Sequence, residues 1–309
     1  MNEKKRAFTL VEILISIVIL GVVMSAVLTV FYSVFESYQF HQDINEAKQR
    51  GQIALAAIEP FVINAGLGMP NSKKQFQDSF EGLTELLPAT ENLKFEIPVQ
   101  IVRNGIVPTT EKTKGNELWL VFSVPSGVGI NFEYELLTGY KAKFSENDDE
   151  IENISKLDLE KNKKNSFKGW ITFPASLAPF WVTDLKKTGS DRELEVQTNL
   201  KQKISAFDEI HYVRAVKIKT DGNGNLKIDH RDGSGEQPVT EGIAGLWCSF
   251  DPEGDRVLKI SVIARGNTKH EKHYQTTLEG WPADAEPKFE DLDPGYRYAV
   301  VSRSWRIRN

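Results

Sequence analysis

From Ile13 to Phe35 the sequence ILISIVILGVVMSAVLTVFYSVF contains no charged residue, and this run constrains the fold more than any other feature. A helix rising ~1.5 Å per residue needs about 20 apolar residues to cross a bilayer core of ~30 Å, and the run exceeds that. No second stretch of comparable length occurs among the 309 residues, which excludes a polytopic transporter or channel and predicts a single pass. Before the run, Lys4, Lys5 and Arg6 outweigh Glu3. The positive-inside rule keeps such a flank in the cytoplasm and sends the C-terminal bulk outside. A secretory signal peptide has a shorter apolar part, about 7–15 residues, ahead of a small-residue cut site, so the run reads as a retained anchor.

Glu12 departs from a plain anchor. It follows the uncharged Phe8-Thr9-Leu10-Val11 at the edge of the apolar run, and a helix beginning near Phe8 places it a turn inside the membrane. A carboxylate at helix-centre depth costs on the order of 2.5–3.5 kcal/mol and is usually paired, so Glu12 is expected to have a partner. The bland alternative is a headgroup-level residue that snorkels.

These residues carry a resemblance. Lys4-Lys5-Arg6-Ala7-Phe8-Thr9-Leu10-Val11-Glu12, followed by a long apolar helix, resembles the class III signal of type IV prepilins and type II secretion pseudopilins. The one departure is Ala7, where the family usually has Gly. The resemblance implies cleavage by a prepilin peptidase between Ala7 and Phe8 and N-methylation of Phe8. It also implies an assembly role for Glu12, which would neutralise the N-terminal amine of a neighbouring subunit. Two charges that are each costly in low dielectric favour meeting there. An intrachain contact is also open, since residues four apart share a helix face.

Beyond Phe35, Ile44, Ala47, Gly51, Ala54, Ile58, Phe61 and Ala65 follow 3,4 spacing and predict one helical face, with Asp43, Glu46, Lys48, Gln49, Arg50, Gln52 and Glu59 opposite. Small residues on the stripe favour close packing on the protein's own sheet over a coiled coil. Glu59-Pro60 is expected to end or kink the pattern, and Asn64 to Pro70 reads as a stop. The predicted organisation is a leader at residues 1–7, a long helix over 8–65 with its membrane span at 13–35, and a periplasmic or extracellular head over 66–309.

The head reads as mainly antiparallel β. Strand-like runs are Leu93–Arg103, Glu117–Val124, Trp170–Phe173, Glu209–Thr220, Leu226–Asp229, Gly245–Phe250, Arg256–Arg265 and Tyr296–Ile307, with a hairpin loop at Thr220–Asn225. The fold class is therefore α+β: a long helix packed on an antiparallel sheet domain, a plan that the resemblance makes pilin-like. Thr240–Trp247, Arg256–Arg265, Tyr296-Arg297-Tyr298 and the closing Arg306–Asn309 resemble PilW-type minor pilins, relatives of the J-type pseudopilins. Phe144–Asn165 is rich in charge and is expected to be an exposed loop or short surface helix. Asn153-Ile154-Ser155 fits a glycosylation acceptor by spacing alone.

Chemistry is sparse. Among the five histidines, only His270-Glu271-Lys272-His273 approaches ligand spacing, and it reads as surface. Asp221–Asn225 reads as a hairpin rather than a calcium loop, because the later positions lack the required Gly and Glu. The Gly127-Val128-Gly129 stretch lacks the third glycine of a dinucleotide fingerprint, and there is no Walker lysine or GxSxG elbow. One cysteine, Cys248, excludes an intrachain disulfide framework and a multi-thiolate metal site, and it reads as buried. A net charge of −5 gives no global field for nucleic acid.

The expectation is a non-enzymatic minor pilin without cofactor or bound metal. It would be held in the inner membrane with its N-terminus inside, then enter a type IV pilus-like filament to prime assembly or occupy the tip. Its partners would be other pilins or pseudopilins, the prepilin peptidase and the inner-membrane assembly platform, with no nucleic acid. Two alternatives stand beside it: a J-type pseudopilin of a type II secretion or competence pseudopilus, and a membrane-tethered binding or enzymatic domain.

Overall fold

The apolar run and the striped segment after it form one unbroken helix, α1, spanning Leu10–Ile63. The computed structural model describes residues 9–70, 72–80, 96–106, 113–135, 141–146, 149–157, 169–188, 191–201, 203–231, 234–252, 254–271 and 277–307. At ~1.5 Å per residue α1 is about 80 Å long. The sequence leaves room for this helix to begin at Phe8; it begins instead after Thr9, whose extended backbone and hydroxyl cap the first turn. Pro60 does not end it. It lies in the last turn, where its missing N–H removes one bond near an end that was already losing bonds. Asn64 closes the helix, its Nδ2 donating to the Pro60 carbonyl at 2.9 Å. Gly68 then turns the chain with φ +71, and a Cβ there would lie 2.6 Å from Thr172 Oγ1.

After α1 come a short helix, α2 (Lys73–Ser79), and strands β1 (Val99–Val102), β2 (Thr113–Gly115), β3 (Glu117–Gly129), β4 (Tyr134–Glu135) and β5 (Lys141–Ser145). The chain continues with β6 (Trp170–Phe173), β7 (Ala178–Thr188), β8 (Asp191–Gln197), β9 (Lys203–Ile204) and β10 (Glu209–Thr220). It ends with β11 (Asn225–Asp229), β12 (Glu236–Glu241), β13 (Ile243–Phe250), β14 (Val257–Arg265) and β15 (Tyr298–Arg306). The larger sheet runs β1-β3-β10-β6-β7-β8-β5, with β11 and β12 added beyond β10; a second runs β15-β14-β13-β2, and β4 pairs with β9. All these pairings are antiparallel, so the class is α+β: a long helix joined to a large antiparallel sheet domain.

The lower half of α1 lies on β14 and β15. Ala47, Gly51, Ala54, Leu55, Ile58 and Val62 are buried, so the small-residue stripe does bring the helix close. A Cβ at Gly51 would stand 2.7 Å from Val301 Cγ2. Leu55 and Val62 replace Ile44 and Phe61 as fully buried members, because the helix also meets β3 and β12 and its buried face is wider than one seam. The polar side differs too. Asp43 is buried, and Glu46, Arg50 and Glu59 flank the contact instead of facing away, whereas Lys48, Gln49 and Gln52 are exposed.

Three apolar clusters fill the head. The first joins α1 to both sheets through residues such as Ile58, Leu120, Ile218, Leu246 and Ile260. A second, built on Phe144, Ile151, Phe173, Phe180, Leu194 and Val196, occupies the far end of β3 and β10. Met69, Phe76, Trp119 and Trp170 form the third. The second cluster corrects the reading of Phe144–Asn165: Phe144, Ile151, Ile154 and Leu157 are core residues, and the charges between them occupy the outer faces. The remainder, 158–165, lies outside the described residues, as do Leu93 to Lys94 and residue 95 of the first expected strand.

Candidate assembly segment

The first turn of α1 is a closed hydrogen-bonded unit. Thr9 N–H donates to Glu12 Oε2 at 2.8 Å and Thr9 Oγ1 donates to the same oxygen at 3.0 Å. Glu12 N–H in return donates to Thr9 Oγ1 at 3.3 Å. This reciprocal box satisfies two helix-end donors and places a carboxylate at the positive end of the helix dipole. Thr-Leu-Val-Glu spacing is its sequence signature. Glu12 thus has its partner within its own chain. Ala7 and Phe8, the expected cleavage and methylation positions, lie outside the described residues.

Every described side chain from Thr9 to Tyr38 is exposed. The helix is long and apolar enough to cross a membrane, and none of its most apolar window is covered by the rest of the chain. A buried core helix would be covered, so this surface meets lipid or other helices. Three hydroxyls of the apolar run are satisfied within the helix: Ser16 Oγ donates to the Glu12 carbonyl at 2.7 Å, Ser25 Oγ to Val22 at 2.8 Å, and Thr29 Oγ1 to Ser25 at 2.8 Å. Phe31, Tyr32, Phe35 and Tyr38 gather at the C-terminal end of this exposed stretch, and aromatic rings suit an interface.

Below the apolar contact, polar clamps tie α1 to the head. His270 Nε2 lies 2.5 Å from Asp43 Oδ2, so this histidine is a partly buried junction residue, which corrects the surface position expected from its sequence context. Arg50 Nη1 donates to the Arg265 carbonyl at 3.3 Å, and Asn267 Nδ2 donates to Glu46 Oε1 at 2.6 Å. Near the helix end Arg303 Nη1 donates to Glu59 Oε2 at 2.7 Å. These pairs are separated by more than two hundred residues, so no local pattern could expose them.

The remaining candidates resolve individually. Asp221 Oδ1 accepts the N–H groups of Asn223 and Asn225 at 2.9 and 2.8 Å, the hairpin predicted for that loop. The Asn225 side-chain amide, which donates to Asp221 Oδ2 at 3.0 Å, is the main influence that with those bonds and Lys227 holds the carboxyl well below the usual range. No cluster of His, Cys, Asp and Glu suited to a metal occurs among the described residues. Cys248 is buried, and desolvation pushes its thiol far up, leaving it unreactive. The sequence reading missed one arrangement. Ser123 Oγ lies 3.1 Å from His211 Nδ1, and His211 Nε2 lies 4.0 Å from Glu209 Oε2. These are the residue types of acyl-transfer chemistry, yet Ser123 is only 2% exposed in the middle of β3, so a substrate carbonyl has no approach to it. Ser123 and His211 act as a staple between β3 and β10.

Residues 3–28 match a family model described as the prokaryotic N-terminal methylation motif. No curated protein and no solved structure matches the chain.

Proposed function

We propose, from the premise that a chain with this motif on a membrane-length helix is similar to the type IV pilins and pseudopilins, that the protein is a minor pilin of a type IV pilus-like filament. The reading is carried by one conjunction: the methylation motif runs into a helix whose most apolar window is left uncovered by the rest of the chain. The N-terminus stays cytoplasmic, the head lies outside, and the peptidase cuts between Ala7 and Phe8, whose new amine is methylated. Other pilins and the inner-membrane assembly platform are its partners. A large head is bulky to repeat along a packed shaft, which favours priming or tip placement. The role is structural, and no catalytic residue is assigned.

The chemistry of docking follows from the first turn. Cleavage would leave an ammonium group at Phe8, adjacent to Thr9. Glu12 is occupied by two neutral donors from Thr9. A neighbour's ammonium offers it charge-assisted bonds, roughly twice as strong as neutral ones, so exchange of partners is favourable in the low-dielectric membrane edge. N-terminal mass mapping of the native chain and of Glu12→Leu tests this. The native polypeptide is expected to begin at methylated Phe8. The variant is expected to be processed identically but to stay in the membrane fraction instead of sheared filaments. A chain still beginning at Met1, or Glu12→Leu recovered in filaments at the native level, overturns the reading.

A further inference from the structure

One pole of the head, at the start of β10, displays bulky apolar side chains, two of them on left-handed backbone. Lys217 of β10 pairs with Asp229, and the neighbouring His230 meets Phe61 in the last turn of α1 edge to face. Glu209 lies eight residues farther along the same strand, about 26 Å from Lys217 at ~3.3 Å per residue. Just past it, Phe207 is 87% exposed at φ +61. Left-handed backbone is a true outlier for a bulky residue. It is held there by its own N–H donating to the Ile130 carbonyl at 2.7 Å and by Ile130 N–H donating to the Asp208 carbonyl at 2.8 Å. Two residues after Ile130, Phe132 is 54% exposed. Asp208 Oδ2 accepts from Ala175 N–H at 3.0 Å, which ties in the β6–β7 turn, where Leu177 is also exposed and also left-handed at φ +51. Three loops are thus fastened to one another by backbone bonds and Asp208, while their large apolar side chains project into solvent. Strain of this kind persists where a site over-determines it.

Charge around the pole narrows the occupant. Glu133, Glu135, Glu152, Asp208 and Glu209 stand against Lys201 and Lys203, and Lys203 is engaged by Glu133. This acidic rim repels an anionic bilayer. We propose that this pole is a docking surface in which Phe207, with Phe132 and Leu177 beside it, enters an apolar pocket edged by lysine or arginine on a protein partner. The surface lies on the head, so it stands or falls independently of N-terminal processing.

The test places a photoreactive phenylalanine at position 207 of the full-length chain in its native cells and maps the adduct by peptide mass spectrometry. The expected adduct is with one protein other than this chain, on a peptide of apolar residues next to Lys or Arg. Against that purified partner, Phe207→Gly in the membrane-embedded full-length chain is expected to weaken binding at least ~10-fold, as loss of a buried aromatic anchor does, and Glu152→Lys is expected to weaken it too. Because glycine accepts φ +61 without strain, Phe207→Gly is expected to leave Tm unchanged or raised, a result that a merely structural role does not give. Adducts with phospholipid or with a second copy of this chain, no adduct, or native-level binding by Phe207→Gly overturns the proposal.

Discussion

His211 projects from β10 toward Ser123 and is mostly shut off from water. Burial lowers its pKa from 6.5, and the opposing pull of Glu209 and Asp208 is the smaller influence. Above 6.5 the imidazole is neutral in both folded and unfolded chains and leaves stability unchanged. As pH falls through 6.5 the unfolded chain takes the proton first, so stability is lost toward acid. Thermal unfolding is therefore expected to show Tm declining between about pH 7 and pH 5, and His211→Gln, which keeps a partner for Ser123, is expected to flatten that slope. Single residues also mark the limits of sequence reading. The intrachain contact left open for Glu12 was set four residues away, but the structure closes it on Thr9, three away, a local Thr-x-x-Glu spacing that the sequence does carry; Asp43 and His270 lie 227 residues apart and look like ordinary polar surface in their own neighbourhoods.

On the scale of elements, α1 shows how far periodicity reaches. Its 3,4 spacing of small residues predicted close approach to a sheet, and Ala47, Gly51, Ala54 and Ile58 lie in that contact. The width of the buried face was not legible, since it depends on strands from two sheets converging on one helix. Gly51→Leu is expected to destabilise the protein by about 1–3 kcal/mol, because Val301 already stands within reach of a single added carbon. That corresponds to a Tm roughly 2–4 °C lower per kcal/mol in a head of this size, measurable by calorimetry. Among strands, Trp170–Phe173 and Glu209–Thr220 match their sequence-predicted bounds. The β7–β8 pair escaped notice because Lys186, Arg192, Glu193 and Glu195 crowd it with charge, while Leu194 and Val196 alternate inward beneath them.

Across the whole molecule, the long strands β3 and β10 contribute to all three apolar clusters, the first packed on α1 and the second, distal one at the strands' other end. The membrane-proximal core was foreseeable in its helix stripe and last strands. The distal core was not, because its contributors from the 144–157 region are single apolar residues spaced among Asp, Glu and Lys, below the density at which a sequence reads as core. Phe144→Ala is expected to cost about 3–5 kcal/mol and to speed amide exchange in β5, β7 and β8 well before exchange in β13 and β14. Uniform acceleration through both sheets would show instead that the head unfolds as one unit. The unbroken course of α1 has a mechanical corollary. One rod carries the greasy anchor and is gripped by the head over its C-terminal turns, with Asp43, Arg50 and Glu59 acting as rivets. No swivel separates anchor from cargo, so a pull or twist delivered at the bilayer arrives undiminished at the opposite extremity of the molecule.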